Sequence, residues 1–290
     1  MNSLKITDLN LTYKNGYNAI NGISLDIKNG MFGLLGPNGA GKSSLMKTIV
    51  GLQKPSSGTI EFNDIDIVEQ SDYIKKNLGF LPQDFGVYPR VNAYDLLNHI
   101  AILKGISNKL ERQNQIQFLL EKVNLWHFKD KEVHTFSGGM KQRFGVAQAL
   151  LGNPKIIIVD EPTAGLDPEE RNRFNTLLSD ISTEVIVILS THLVEDVKNL
   201  CSEMTIMNKG RILKTGKPKA LIEELQGKIW SKSIDKNELD YYQTNLKVIS
   251  QQLIERQLQI TVCSSERLEG FHQTEPILEH VYFNVLSQNN

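Results

Sequence analysis

The sequence has few of the features that would assign it to a membrane, a nucleic acid or an oxidising compartment. Its 290 residues include only two cysteines, Cys201 and Cys263, too few for a zinc set or a disulfide framework. The longest aliphatic runs, 156–159 and 185–189, are far shorter than the ~20 residues of a membrane span, and the first thirty residues contain no signal segment. The net charge of -1 predicts no general attraction to nucleic acid or anionic lipid. We therefore expect reduced thiols and a position in the cytosol or facing it.

The hydrophobic pattern alternates between strands and helices over most of the chain. Hydrophobic residues make up 40% and charged residues 22% of the sequence, which is typical of a globular protein. Residues 4–13 alternate apolar and polar, as a half-buried strand does. Residues 156–160 and 185–190 are almost wholly apolar, as in strands buried on both faces of a parallel sheet, and 93–129 have apolar residues at helical spacing. This order predicts an α/β fold.

The last part of the chain differs in composition from the rest. Pro218 and Gly227 bracket a predicted helix, and glutamine and asparagine become more frequent beyond it. We expect residues 1–226 to form one domain, with a helical insert at about 84–152, and residues 227–290 to form a small α+β accessory domain. A fold of that size is only marginally stable alone, so we expect it to pack on the first domain or on a second copy of itself.

A glycine-rich loop carries the strongest chemical signal. Residues 36–43, GPNGAGKS, match G-x-x-x-x-G-K-[ST] between an apolar strand and a helical pattern. Glycines let successive backbone N–H groups point at an anion, with a helix N-terminus behind them. Lys42 can reach the β- and γ-phosphates, and the Ser43 hydroxyl can bind Mg²⁺. The predicted nucleotide-binding residues are Gly36, Pro37, Asn38, Gly39, Ala40, Gly41, Lys42, Ser43 and Ser44.

The apolar strand at 156–161, IIIVDE, ends in two carboxylates. Asp160 comes at the carboxyl end of the strand, where open α/β sheets present their ligands, so we expect it to support Mg²⁺. Glu161 follows directly and could orient or deprotonate an attacking water. Alone, this pair would favour a solvated turn, since many strands end in acids. Together with the glycine-rich loop, it predicts the carboxylates of an ATPase.

Residues 136–143, FSGGMKQR, resemble the signature of the ATP-binding subunits of ABC transporters. Ser137, Gly138 and Gly139 match, whereas Phe136 and Met140 replace the Leu and Gln of the commoner L-S-G-G-Q form. The resemblance covers residues 1 to about 226. It implies a P-loop NTPase with a mixed core sheet, an antiparallel β subdomain and a helical subdomain, followed by the small appendage. It also implies that the protein binds and hydrolyses ATP.

Further positions match elements that this family uses around the nucleotide. Gln83 matches the Q-loop glutamine, which binds Mg²⁺ and senses the membrane partner, so the resemblance implies Ser43, Gln83 and Asp160 as Mg²⁺ ligands. His192, 31 residues beyond Glu161, matches the switch histidine. Glu161, His192 and Gln83 are thus the implied catalytic residues.

Two more family elements concern the D-loop and the adenine base. Gly165, Leu166 and Asp167 match the D-loop. Tyr13 stands where the family has an aromatic residue that stacks on adenine. The resemblance therefore implies Tyr13 as the adenine-stacking residue, with Tyr17 as the runner-up and an ordinary strand tyrosine as the other alternative.

The resemblance also implies how the protein works and with what. The signature residues would open a helix whose N–H groups form a second phosphate site, which in the family serves the ATP of the opposite subunit. Two ATP molecules are then buried between two head-to-tail domains, and hydrolysis reopens the dimer. The implied partners are a transmembrane permease, contacted by the insert between Gln83 and Ser137, and a second copy or a related ATPase. No nucleic acid is expected. The implied location is the cytoplasmic face of the cell membrane, through the permease.

Two other classes compete with a transporter subunit. ABC ATPases of DNA repair or chromosome type carry a long coiled coil between the P-loop and the signature, but Phe136 is only 94 positions beyond Lys42 and no heptads are sustained there. Translation-factor types have two P-loops, and this chain has one. A regulatory module that has lost hydrolysis is disfavoured, because every residue needed for phosphoryl transfer is present.

The C-terminal stretch narrows the resemblance to exporters. Residues 275–283, EPILEHVYF, resemble the tail of ATPases from the drug, antibiotic and sodium exporter group, which reads E-P-x-L-E-[DN]-V-[FY]. His280 departs from that pattern, and a generic capping helix is the alternative. An exporter is therefore implied. Its substrate is not, because the family places substrate contacts in the membrane subunit.

Overall fold

The computed structural model describes residues 1–83, 86, 90–163, 166–254 and 256–288, which form three sheets flanked by helices. The strands are β1 Ser3–Thr12, β2 Asn18–Lys28, β3 Gly30–Leu35, β4 Ser57–Phe62, β5 Ile65–Asp66, β6 Leu78–Leu81, β7 Ile156–Asp160, β8 Ile186–Thr191, β9 Glu203–Asn208, β10 Arg211–Gly216, β11 Ile229–Ile234, β12 Val248–Ile254, β13 Gln257–Cys263 and β14 His272–Gln273. The α-helices are α1 Lys42–Ile49, α2 Ser71–Asn77, α3 Ala93–Leu103, α4 Lys109–Lys122, α5 Gly138–Leu150, α6 Pro168–Ile181, α7 Val194–Leu200, α8 Pro218–Glu223, α9 Leu239–Asn245 and α10 Leu278–Ser287.

The central sheet has the strand order β10-β9-β3-β8-β7-β6 and is parallel except for β10. Every residue of β7 and β8 is buried, which confirms the prediction from their apolar runs. Successive side chains of β7 serve different cores. Ile157 and Val159 face one hydrophobic cluster, and Ile156 and Ile158 face another. The sheet is therefore covered on both faces, as the alternating strand and helix pattern predicts.

An antiparallel sheet at the N-terminus covers one of those faces together with α1. Its order is β2-β1-β4-β5. Leu4 and Ile6 of β1 are buried and alternate with exposed residues, as a half-buried strand requires. The alternation shifts at Asp8, which has a φ of 49° between two registers of the β1–β2 pairing. A bulge there keeps Leu9 and Leu11 in the core.

Helices α3 to α8 pack on the other face of the central sheet. In α3, Leu96 and Leu97 are buried whereas Leu103 is exposed, so only part of its apolar periodicity faces the core. Asn92 and Asn108 cap α3 and α4 by accepting backbone N–H bonds. Among the residues that the structure describes, every helix is too short or too polar to cross a lipid bilayer.

The C-terminal residues form an antiparallel sheet of order β12-β13-β11-β14, with α9 and α10. Its inner residues make a small cluster of their own around Ile260 and Val262. Helix α10 packs on β12 of this sheet and also on α7, α8, β9 and β10, and its Leu278, Val281 and Tyr282 belong to the same hydrophobic cluster as the central sheet. The appendage is thus joined to the preceding residues by an apolar contact.

Candidate nucleotide site

Four predicted site segments meet at one edge of the central sheet. The glycine-rich loop 36–43 follows β3, Gln83 follows β6, Glu161 follows β7 and His192 follows β8. These strands are parallel neighbours in the order β3-β8-β7-β6, so their carboxyl ends lie side by side. An open cleft at this edge is lined by residues 38–44, Tyr17, Gln83 and Glu161. The topology therefore explains how residues far apart in sequence reach one site.

The conformation of the loop depends on its glycines. Gly39 and Gly41 have φ values of 80° and 100°, a region that other residues rarely adopt. A Cβ on Gly41 would lie 2.5 Å from the carbonyl oxygen of Ala19, and one on Gly36 would lie 2.3 Å from that of Met207. The loop is therefore packed tightly on neighbouring backbone, which fixes the direction of its N–H groups.

Lys42 is buried at the base of the loop. Its Nζ donates hydrogen bonds to the carbonyl oxygens of Gly36, at 2.7 Å, and Pro37, at 3.2 Å. It also lies 3.8 Å from Oε1 of Glu161. Burial lowers the pKa of Lys42, against the opposing effect of the carboxylates of Glu161 and Asp160. The ammonium group thus stands between the loop and the catalytic carboxylate predicted from the sequence.

The Asp160 carboxylate is buried next to the loop and accepts a hydrogen bond from the Ser43 hydroxyl at 3.2 Å. Burial raises the pKa of Asp160, while hydrogen bonds and the charge of Lys42 act in the other direction. Among the described residues, no group of three His, Cys, Asp or Glu side chains could hold a metal alone. Mg²⁺ is commonly held by one or two protein oxygens together with substrate phosphates, and the oxygens of Ser43, Asp160 and nearby Gln83 fit that pattern.

Glu161 and His192 are in direct contact. Nδ1 of His192 lies 3.1 Å from Oε2 of Glu161. A carboxylate can only accept, so the imidazole donates from Nδ1 in this arrangement. Glu161 has a φ of 46°, in the left-handed region, and its backbone N–H donates to the carbonyl oxygen of Ser190. Strained backbone of this kind occurs at functional sites, where the surrounding structure must hold it.

The two candidate adenine-stacking residues occupy different places. Tyr17 lines the cleft and is half exposed, whereas Tyr13 is partly buried and its hydroxyl lies 3.1 Å from Oγ of Ser44. The two rings are stacked, with centroids 6.4 Å apart and an interplanar angle of 12°. Tyr17 therefore lines the cleft, and the Tyr13 ring stacks against it.

Ser137 of the signature and Asp167 of the D-loop stand at the starts of helices, and the described residues of both elements do not line this cleft. Ser137 caps α5 by accepting a hydrogen bond from the Met140 N–H at 3.2 Å, and Asp167 caps α6 by accepting one from the Glu170 N–H at 2.8 Å. Gly138 is open, since a Cβ there would meet nothing within 4 Å. Gly165 of the predicted D-loop lies outside the described residues, as does residue 84, the first of the predicted insert.

A buried ionic cluster, which the sequence did not indicate, connects the segments that carry Glu161 and His192. The Asp196 carboxylate in α7 is fully buried and accepts hydrogen bonds from Thr163 and Arg171. Its sequence signal is weak: an acid between the apolar residues Val194 and Val197 of a short predicted helix. The partners of Asp196 lie 25 and 33 positions away, so sequence spacing does not indicate them.

Comparison with known proteins agrees with this fold and site. The pattern that defines the ABC transporter family matches residues 20–164. The linearmycin resistance ATP-binding protein LnrL of Bacillus subtilis is 35% identical over 210 residues, which are 72% of this chain and 67% of that protein. The chain spans only 22% to 34% of the length of several longer curated relatives.

Solved structures of two related proteins superpose well. CbiO1 from Clostridium perfringens, described as part of the ABC transporter complex cbiONQ, gives a TM-score of 0.69 at 31% identity and covers 76% of this chain and 90% of its own. The ATP-binding cassette MJ0796, a dimer in a post-hydrolysis state with ADP and Pi, gives 0.67 at 26% identity over 74% and 98% of the two chains. These matches agree with the glycine-rich loop and with the adjacent strand ends that form the site. The chain therefore belongs to the ABC transporter family and contains an ABC ATPase domain.

Proposed function

We propose that this protein is the ATP-hydrolysing subunit of an ABC exporter, driven by head-to-tail dimerisation against a separate membrane permease. The observation that carries the proposal is the position of the Glu161 carboxylate, between Nζ of Lys42 and Nδ1 of His192. We assign residues 1–226 to the ATPase domain and 227–290 to an accessory domain.

Hydrolysis needs a water held in line with the γ-phosphate and a group that takes its proton. In our proposal Glu161 accepts that proton while the water oxygen attacks phosphorus and the bond to ADP breaks. Lys42 neutralises charge on the β- and γ-phosphates. His192 holds the Glu161 carboxylate through Nδ1, and its side chain is 42% exposed.

Mg²⁺ would be held by Ser43, Asp160 and Gln83, and when bound it supplies charge neutralisation at the phosphate oxygens. The hydrogen bond between Ser43 and Asp160 supports this assignment, because it already brings two oxygen ligands together. The buried Asp160 carboxylate also fixes the orientation of the Ser43 hydroxyl. Gln83 contributes from the neighbouring strand end, at the exposed rim of the cleft.

The signature residues are proposed to act on the nucleotide of the opposite subunit. Ser137 and Gly138 are exposed at the start of α5 and lie outside the cleft of their own chain, which leaves them available to a partner. Helix N-termini are suited to phosphate. The related MJ0796 cassette is a dimer with ADP and Pi bound, which supports dimerisation of this chain. A second copy of this chain or a related ATPase would complete the site.

The permease contact is proposed for the helical insert. Helices α3 and α4 expose large apolar side chains, namely Ile102, Leu103, Leu110 and Phe118, and such surfaces mark interaction sites. Assembly with a permease would hold the protein at the cytoplasmic face of the membrane. The resistance function in the name of LnrL and the tail 275–283 support an exporter over an importer.

A steady-state ATPase assay of the purified full chain tests the proposal, with Lys42→Ala as the inactive variant and Lys47→Ala as its matched control on the same helix. We expect turnover in the parent and in Lys47→Ala, and its loss in Lys42→Ala together with most of the ATP affinity. Equal turnover in all three would contradict the site assignment. Co-purification of a membrane protein with the tagged chain tests the permease.

A further inference from the structure

Asp196 is a charged residue with no exposed surface, held by three short hydrogen bonds. Nε and Nη2 of Arg171 donate to its Oδ1 at 2.8 and 2.6 Å. The Thr163 hydroxyl donates to its Oδ2 at 2.7 Å. Thr163 is itself buried. Both carboxylate oxygens are thus satisfied by groups from other segments of the chain, as a buried carboxylate requires.

The three residues of this cluster each follow a predicted nucleotide-site residue by a short step in sequence. Thr163 comes two positions after Glu161, and Asp196 comes four after His192. Arg171 lies one helical turn beyond Asp167, and its N–H donates to the Asp167 carbonyl oxygen. The cluster therefore connects the segment after β7, the start of α6 and the start of α7. The first segment begins with Glu161 and the third with His192, which act in hydrolysis in the proposed function, and α6 is capped by Asp167 of the predicted D-loop.

We infer that Asp196 is a positioning residue that holds Glu161, Asp167 and His192 in one arrangement for hydrolysis. The inference rests on the proposed ATP hydrolysis and adds to it a residue that touches neither nucleotide nor metal. Asp196 acts through Thr163 on the Glu161 segment, through Arg171 on α6, and through its own helix on His192.

The backbone of Glu161 explains why such support is needed. A glutamate with a φ of 46° reverts to a relaxed conformation unless both sides of the residue are held. On one side, its N–H is bonded to Ser190 of the neighbouring strand. On the other side, Thr163 is bonded to Asp196. Removal of the second anchor leaves the carboxylate free to move away from Lys42 and His192.

Helix α6 extends the same connection toward the signature helix. Arg171 faces Asp196, while the preceding Glu170 lies against α5. There its carboxylate is 3.4 Å from Nη2 of Arg143, and a Cβ on Gly139 would lie 2.5 Å from it. A shift of α6 that followed loss of the Asp196 contact would therefore also reach the helix that Ser137 opens.

The test uses the full-length protein with the substitutions Asp196→Asn and Thr163→Val. Both keep the shape of the side chain; the first removes the negative charge, and the second removes the hydroxyl that donates to Asp196. Arg173→Ala is the matched control, since Arg173 is on α6 but pairs with exposed Glu169. We expect kcat to fall about a hundredfold in Asp196→Asn, less in Thr163→Val, and not in Arg173→Ala. The dissociation constant for ATP should stay within about twofold of the parent in all three, because the phosphate-binding loop 36–43 lies outside the cluster. In the double variant, kcat should be no lower than in Asp196→Asn. Both substitutions disturb the same contact between Thr163 and Asp196, so their effects should not add.

Hydrogen exchange gives a readout that does not depend on hydrolysis. Amide exchange in peptides covering Glu161 to Thr163 and His192 should quicken several-fold in Asp196→Asn and remain unchanged in Arg173→Ala. Unchanged kcat and exchange in both cluster variants would overturn the inference, as would equal losses of kcat and ATP affinity. If the parent protein hydrolyses no ATP while exchange still responds as expected, the proposed function is wrong, and Asp196 then only holds the backbone around Glu161 and His192.

Discussion

Oε2 of Glu161 lies 3.1 Å from Nδ1 of His192, while Oε1 of the same carboxylate lies 3.8 Å from Nζ of Lys42. The two contacts come from different strand ends of the central sheet, so the carboxylate is held from both sides. A carboxylate held in this position can accept a proton from water while it keeps its orientation.

Glu161→Gln should stop turnover and preserve ATP binding. The amide keeps the shape of the side chain but cannot take the proton of the attacking water, and it removes a negative charge that faces the γ-phosphate. We expect a dimer on size-exclusion chromatography with ATP and Mg²⁺, and a monomer without them. Glu169→Gln, an exposed position on α6, should behave as the parent does. A monomeric variant with normal turnover would show that another group is the base.

Tyr17→Ala should weaken ATP binding about tenfold, because a lost aromatic stack is worth about 1 kcal/mol or slightly more. Tyr13→Phe removes only the hydroxyl that meets Ser44 and should leave the affinity nearly unchanged. A fluorescent ATP analogue in a titration measures both. If Tyr13→Ala weakens binding and Tyr17→Ala does not, the base stacks on Tyr13 instead.

Ser137→Arg should abolish turnover while each subunit still binds ATP, since the new side chain blocks the phosphate site offered to the partner. Mixed dimers give the sharper measurement. A dimer of one Ser137→Arg subunit and one Lys42→Ala subunit should keep one intact composite site, because both lesions then affect the same nucleotide. The result against the in-trans arrangement is damage to both sites in that dimer.

A chain ending near Gln226 should still bind ATP, because the cleft residues all precede that point. Its melting temperature should fall, since removal of α10 uncovers the apolar surface of α7 and α8. In the full chain, Leu278→Ala removes a fully buried side chain and should cost about 2–4 kcal/mol in the free energy of unfolding.

Phe283→Ala on the same helix is the control for Leu278→Ala, because the Phe283 side chain is 40% exposed whereas that of Leu278 is fully buried, and it should cost less. Loss of ATP binding by a truncated chain that remains folded would place the C-terminal residues in the nucleotide site.

The sequence predicted the parts of the site that are local. The loop 36–43, Asp160 and Glu161 each lie next to an apolar strand, and a parallel sheet brings such strand ends to one edge. The choice between Tyr13 and Tyr17 could not be made in the same way, because both follow β1 closely and only the packing decides which ring reaches the cleft.

Contacts between distant segments were beyond sequence reasoning for a different reason. Asp196 is recognisable as important only when Thr163 and Arg171 are seen to meet it, and their separations follow no helix or strand period. The surface on which α10 packs could not be predicted either, since an apolar helix face does not indicate which surface it covers.

The left-handed backbone conformation of Glu161 lowers the stability of the fold at a residue that we propose to be catalytic. A side chain in this conformation costs about 1–2 kcal/mol compared with glycine, so Glu161→Gly should give a protein that unfolds at a higher temperature and hydrolyses nothing. The free energy of folding lost at this residue is therefore the cost of placing a carboxylate, which glycine cannot supply, at the end of β7.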